Sequence, residues 1–147
     1  MASEKLLSLV VPVYFEEEVL PAAYPRMKAA MEQTGYAYEI IFVNDGSKDG
    51  TMGILRRIAK ADPAVKVLSF SRNFGHQLAV TAGMDEAKGD ALIIIDADLQ
   101  DPPELIPQMV KMWEQGRISS TASGRSERGR PSLKSSPLPV TIVCCPV

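Results

Sequence analysis

Apolar residues in this chain fall into short, nearly unbroken runs. Between them lie longer stretches where apolar positions recur every three or four residues. Leu6 to Val13 is the first run, and its continuity predicts a strand buried on both faces. After the polar turn Tyr14 to Glu18, Leu20, Tyr24, Met27 and Met31 follow at spacings of four, three and four, one apolar face of a helix. Pro21 suits its first turn, and Pro25 is expected to kink or delay it. Tyr38 to Val43 reads as a second strand, followed by a helix from about Met52 to Ala61. Val65 to Phe70 makes a third strand, and Arg72-Asn73-Phe74-Gly75 opens a helix that stops near Gly89. Ala91 to Ile95 is the fourth strand. In the last helix Asp101 is the expected cap, Pro102 or Pro103 sits in the first turn, and Gly116 lies just past the end. Leu105, Met109, Met112 and Trp113 are its expected buried stripe. Strands alternating with helices predict an α/β fold, a mostly parallel sheet with helices on both faces.

In an open parallel sheet, ligands bind beyond the carboxyl ends of the strands. Polar clusters fall at all four of those ends: Tyr14 to Glu18, Asp45 to Thr51, Arg72 with Asn73, and Asp96 to Asp101. The last is the most telling. Asp96 and Asp98 share a side if extended geometry persists that far, and Asp101 joins them at the head of the helix. Two carboxylates 4 Å apart repel by about 4 kcal/mol at an effective dielectric near 20. A hard divalent cation, Mg2+ or Mn2+, would cancel that repulsion and hold phosphates in turn.

Each cluster also has a plain structural reading. A single Asp-x-Asp fits a solvated turn, and only its coincidence with three other clusters raises it above that. Asp45-Gly46-Ser47 fits a strand-to-helix turn with Ser47 or Asp49 capping the helix, alongside a binding role. At least two of Glu16, Glu17 and Glu18 read as favouring a helix N-terminus through the macrodipole. His76, the sole histidine, reads as structural or solvent-facing rather than as a ligand. Trp113 and the methionines read as core. No G-x-G-x-x-G or G-K-[ST] phosphate loop is present, which argues against dinucleotide and P-loop folds.

At 147 residues the chain fits one domain with a real core. Its net charge of -2 speaks against nucleic-acid binding. Adjacent Cys144 and Cys145 form neither a disulfide framework nor a zinc site, so a reducing, cytoplasmic setting is expected. No window reaches the ~18–20 apolar residues that span a bilayer. Character changes after Gly116: residues 1–116 carry a net charge of -6, and residues 117–147 carry +4 in a Ser-, Arg- and Pro-rich stretch. That tail shows no helical or strand period before Val140 to Cys145 and is expected to stay disordered.

Three ordered segments resemble the family 2 inverting glycosyltransferases of the GT-A fold. They are Val11-Pro12-Val13-Tyr14-x-Glu16, Val43-Asn44-Asp45-Gly46-Ser47-x-Asp49-Gly50-Thr51, and Asp96-Ala97-Asp98-Leu99-Gln100-Asp101-Pro102-Pro103-Glu104. The third is in the form typical of dolichyl- and polyprenyl-phosphate sugar synthases, and Arg72-Asn73-Phe74-Gly75 resembles the bacterial polyprenyl-phosphate branch. The resemblance covers about residues 5–116. It implies that Pro12, Tyr14 and Glu16 line the nucleotide pocket and that Val43 and Asp45 hold the base and ribose region. It implies that Asp96 and Ala97 contact the nucleotide sugar, while Asp98 and Gln100 bind Mg2+ or Mn2+. One departure is Phe15, where the family usually carries Asn.

The implied reaction is inverting sugar transfer from a nucleoside-diphosphate sugar to a polyprenyl phosphate. No residue presents itself as a catalytic base, and an ionised phosphate acceptor needs none. Members of this branch continue past the equivalent of Gly116 with an acceptor-binding half, often followed by membrane helices. A truncation or reading-frame change near residue 116 or 117 is therefore expected, with association at a membrane surface. Two other classes compete: an inactive, metal-dependent nucleotide-sugar-binding module, and a receiver-type signalling domain. The latter needs a phosphoacceptor Asp on the middle strand and a suitably placed Lys, and neither stands out.

Overall fold

The computed structural model describes residues 3–98, 102–115 and 141–144. Strand β1 (Ser3–Val13) leads to helix α1 (Leu20–Gln33), β2 (Tyr36–Asn44) to α2 (Thr51–Ala61), and β3 (Val65–Ser69) to α3 (His76–Glu86). Strand β4 (Ala91–Ile94) is followed by a single 3-10 turn (Pro103–Leu105), α4 (Ile106–Glu114) and β5 (Thr141–Cys144). The sheet order is β3-β2-β1-β4-β5. The first four strands run parallel, and β5 pairs antiparallel to β4, with Leu92 opposite Val143. Strand β5 falls within Val140 to Cys145, the one stretch of the tail where the sequence shows a period. Four apolar or β-branched residues there complete the edge that β4 would otherwise leave open. The expected cap Asp101, the C-terminal marker Gly116 and the rest of the tail lie outside the described residues.

Alternation along the strands assigns the two faces of the sheet. Leu7, Leu9, Val11 and Val13 of β1 join Ile40 and Phe42 of β2 and Ile93 of β4 under α1, α2 and α4. Val10, Ile41, Val43 and Leu92 face the other way, against Ala79 of α3. These side chains are fully or almost fully buried. Burying one of the larger ones contributes about 2 kcal/mol of transfer free energy. The continuous runs in the sequence thus reflect a sheet covered on both sides.

Helix α1 starts at Leu20 and runs on through Pro25, so the expected delay does not occur. Its packing face (Leu20, Ala23, Met27, Ala30, Met31) outweighs one lost backbone bond. The expected Tyr24 sits only partly inside, donating its hydroxyl to Asp62 at 2.5 Å. The stripe of α4 is also rotated, to Ile106, Met109 and Val110, with Trp113 partly buried. A 3-10 turn precedes it, held to α1 by a bidentate pair between Arg26 and Glu104, both contacts 2.8 Å.

Helix α3 departs most from the expected bounds. It starts at His76 rather than in the Arg72–Gly75 block, and ends at Glu86 rather than near Gly89. Two distant carboxylates explain both ends. Asp45 accepts the backbone N–H groups of Phe74 (2.8 Å) and Gly75 (3.1 Å), holding that block out of the helix. Glu39 accepts the Lys88 N–H at 2.7 Å, and the Gly89 N–H donates to Ser8 Oγ, drawing the chain straight into β4.

Candidate functional site

Strand order reverses beside β1: β2 and β3 lie to one side and β4 to the other. A crevice forms beyond the strand ends at such a reversal. Here it is a cleft of about 230 Å³ lined by Pro12, Val13, Tyr14, Glu16, Asp45, His76, Ala79, Asp96, Ala97 and Asp98. Of the nine site residues named from the sequence, Pro12, Tyr14, Glu16, Asp45, Asp96, Ala97 and Asp98 all line it. Val43 does not: it is fully buried in the core beneath α3. Gln100 lies outside the described residues.

Each wall is built by a local rule. After β1 the chain turns sharply at Phe15, whose φ of 53° is left-handed, and the Phe15 N–H donates to Ser47 Oγ at 2.9 Å. The Glu16 N–H donates to Thr51 Oγ1 at 3.1 Å. Glu17 leaves the cleft and accepts the Gly50 N–H at 2.6 Å, at the head of α2. Ser47 and Asp49 share the turn work differently from expectation. Ser47 holds the β1 loop, and Asp49 accepts the Thr51 N–H at 3.1 Å.

Asp45, 3 % exposed, takes part from behind: both its oxygens hold the Phe74–Gly75 backbone. Gly46, with φ +76°, presses against that same segment, so a side chain there would strike the backbone of Arg72. Gly75, with φ +102°, then turns the chain into α3. The first residue of that helix is His76, whose Nε2 lies 3.8 Å from Asp96 Oδ1 across the cleft.

His76, read from the sequence as structural or solvent-facing, is solvent-facing, its side chain 65 % exposed, and it also lines the cleft. The overlooked signal was position. His76 follows the third strand end by only a few residues, where the strand-end rule that located the other clusters also applies.

The electrostatics are one-sided. Burial, and after it the negative charges of Asp98, Asp96 and Asp49, push the Glu16 carboxyl above its ordinary value. Among the described residues, no Lys or Arg lines the cleft. Such a site favours a cation, and its oxygen donors suit Mg2+ or Mn2+. Among the described residues, however, no group of three or more carboxylate, imidazole or thiol side chains could hold a metal ion unaided. That still fits Mg2+, which is commonly bound through one or two carboxylates plus substrate phosphates rather than by an all-protein cage.

A parallel α/β sheet with an acidic cleft at its reversal point is the general ligand-binding arrangement of open α/β folds. The chain belongs to glycosyl transferase family 2, whose family model matches residues 8–137. It is 59% identical over 109 residues to the uncharacterized glycosyltransferase YkcC of Bacillus subtilis, covering 74% of this chain and 34% of that one. It is 48% identical over 126 residues to the bactoprenol glucosyl transferase of Shigella phage SfV, covering 84% and 41%. The chain thus spans about a third to two-fifths of the length of these relatives. Its fold matches a mannosyltransferase from Pyrobaculum calidifontis in complex with GDP-Man and Mn2+. The TM-score is 0.60 at 23% identity, over 71% of this chain and 31% of that one. The fold is accordingly GT-A. No described helix is long and apolar enough to cross a membrane.

Proposed function

We propose that this chain carries the donor-binding part of an inverting glycosyltransferase that moves a sugar from a nucleoside-diphosphate sugar to a polyprenyl phosphate. The observation that carries this reading is the convergence of Glu16, Asp96 and Asp98, from two neighbouring strand ends, on one cleft at the reversal point of the sheet. The bactoprenol glucosyl transferase relative supports a polyprenyl-lipid acceptor, and the mannosyltransferase neighbour supports a nucleotide sugar and a divalent metal. Residues 1–116 supply the donor side, and the acceptor approaches from a membrane surface.

In this reading Asp98, with Gln100, holds Mg2+ or Mn2+, and Asp96 and Ala97 meet the nucleotide sugar. When bound, the ion supplies electrostatic stabilisation of the departing nucleoside diphosphate. Pro12 and Tyr14 form the wall against which the nucleotide lies, and Val43 supports that wall from the core. Glu16 adds negative charge, strengthening the pull on the cation. An acceptor phosphate with a second pKa near 6 is largely ionised at neutral pH and attacks without a protein base.

The same cleft also fits a second reading, a metal-dependent nucleotide-sugar-binding module without turnover. Calorimetric titration with UDP-glucose and GDP-mannose, with and without Mn2+, tests the shared premise. One of these donors should bind, chelation should abolish binding, and Asp98→Ala should weaken it severely. Binding that ignores chelator would overturn the site. Sugar transfer to a polyprenyl phosphate separates the transferase from the binding module.

A further inference from the structure

Among the described residues of the cleft wall, the ionisable side chains besides the acids are Tyr14 and His76, and His76 faces Asp96. Its Nε2 and Asp96 Oδ1 stand 3.8 Å apart, too far for a direct hydrogen bond. The gap has a chemical meaning. An oxygen placed about 2.7–2.8 Å from both atoms subtends an angle of about 90° between them, within normal hydrogen-bonding geometry. An imidazole N–H can only donate to that oxygen, and an ionised carboxylate can only accept from it. The group that satisfies both at once is a hydroxyl, accepting from His76 and donating to Asp96. A phosphate oxygen has no proton to give and would be repelled by Asp96.

We infer that His76 and Asp96 together read one hydroxyl of the bound donor, which makes His76 a specificity-determining residue. This rests on the donor-binding reading above. The His76 side chain is 65 % exposed, but the backbone that carries it is fixed. Asp45 fixes the two preceding backbone N–H groups, and Gly46 seats the segment before them. A residue at the end of β2 thereby sets the position of a side chain that faces the end of β4. Asp45 acts on the ligand through His76, whatever contact it makes itself.

The hydroxyl belongs either to the transferred sugar or to the ribose, and calorimetry on this chain with Mn2+ distinguishes the two. UDP-glucose, UDP and the 2′- and 3′-deoxy forms of UDP are titrated into wild type, His76→Ala and His76→Gln. GDP-mannose, GDP and its deoxy forms replace them if the wild type prefers guanine. His76→Ala should weaken the nucleotide sugar by about three- to tenfold, the usual worth of one hydrogen bond. His76→Gln, which keeps an N–H donor, should recover part of it.

A loss confined to the nucleotide sugar assigns the sugar hydroxyl. An equal loss with UDP assigns the ribose, and one deoxy form should then bind wild type and His76→Ala alike, which a merely structural role for His76 would not produce. If His76→Ala binds every ligand as wild type does, the inference is wrong while the donor site stands. If wild type binds no nucleotide, both fall together.

Discussion

Replacing Gly46 with Ala should unfold this protein far more readily than the size of a methyl group suggests. At φ +76° a Cβ would lie 2.3 Å from the Arg72 carbonyl carbon and 2.5 Å from the Asn73 nitrogen. The left-handed backbone costs an alanine about 1 kcal/mol. The clash falls on backbone, so no rotamer change relieves it, and overpacking adds about 1–3 kcal/mol. If the chain instead moves residues 72–75 aside, the N–H bonds to the Asp45 carboxylate are lost, at about 1.5–3 kcal/mol each. The first route costs about 2–4 kcal/mol and the second about 4–7, so even the cheaper one removes a large share of the ~5–15 kcal/mol that holds a domain together. Gly35 supplies the control: its φ is +75°, but nothing lies within 4 Å of its would-be Cβ. Urea unfolding followed by far-UV circular dichroism should show the Gly46→Ala midpoint about 1–2 M below wild type. Gly35→Ala should lose no more than about 0.5 M. Equal shifts for the two variants would refute the close contact between Gly46 and the Arg72 segment, and with it the seat proposed for His76.

The same left-handed logic applies to Phe15, whose φ of 53° suits Asn much better than an aromatic. Phe15→Asn should raise the melting temperature by a few degrees despite losing the edge contact with Tyr14; a lower value would contradict strain at that turn. Acid should weaken the fold through Glu39 and Asp62. At Glu39 burial pulls the pKa upward, but bonds from Lys66, the Lys88 N–H and Ser8 outweigh it and hold the carboxyl below its ordinary 4.5. At Asp62 the Tyr24 hydroxyl leads, opposed by burial and aided by the Ala64 N–H and Lys28, and the pKa is again lowered. In both cases the unfolded chain takes up protons first as pH falls, so stability present above the ordinary values drains away toward the lowered ones. Glu16, with a raised pKa, has the opposite sign: its share is complete below 4.5 and is lost as pH rises through the folded value. Urea midpoints should therefore fall between about pH 5 and pH 3, and Glu39→Gln should flatten that fall. An unchanged slope would count against the Glu39 network.

Much of the fold was legible because burial on both faces writes itself into the chain as unbroken apolar runs. Leu6 to Val13 and Ala91 to Ile95 needed no further information, and the strand-end rule then gathered Tyr14, Glu16, Asp45, Asp96 and Asp98 correctly. Helix boundaries were less legible, for one physical reason. The ends of α3 are set by carboxylates 30 and 49 residues away in sequence, on Asp45 and Glu39. No local pattern records that a distant side chain will claim a backbone N–H. The solvent exposure of His76 was legible, but its place beside the cleft was not, since that follows from where Asp45 stops the preceding segment. Glu104, read as the end of the acidic motif, turns out to clamp the 3-10 turn to Arg26. Spacing alone could not separate that clamp from a ligand.

The carboxylates of this protein divide by company. Away from the cleft, Glu39 meets Lys66 at 2.8 Å, Asp62 meets Lys28 at 3.2 Å, and Glu104 meets Arg26 at 2.8 Å. In the described cleft lining Glu16, Asp96 and Asp98 stand together without Lys or Arg, and burial first, then the charges of Asp98, Asp96 and Asp49, raises the Glu16 pKa. The sheet order reverses at this acidic cluster. A nucleoside diphosphate entering alone would add more negative charge to the same few ångströms and be repelled. Cation and nucleotide should therefore bind cooperatively, each strengthening the other by the same factor. A nucleotide affinity indifferent to Mn2+ concentration would show that the cluster is a solvated acidic rim and nothing more.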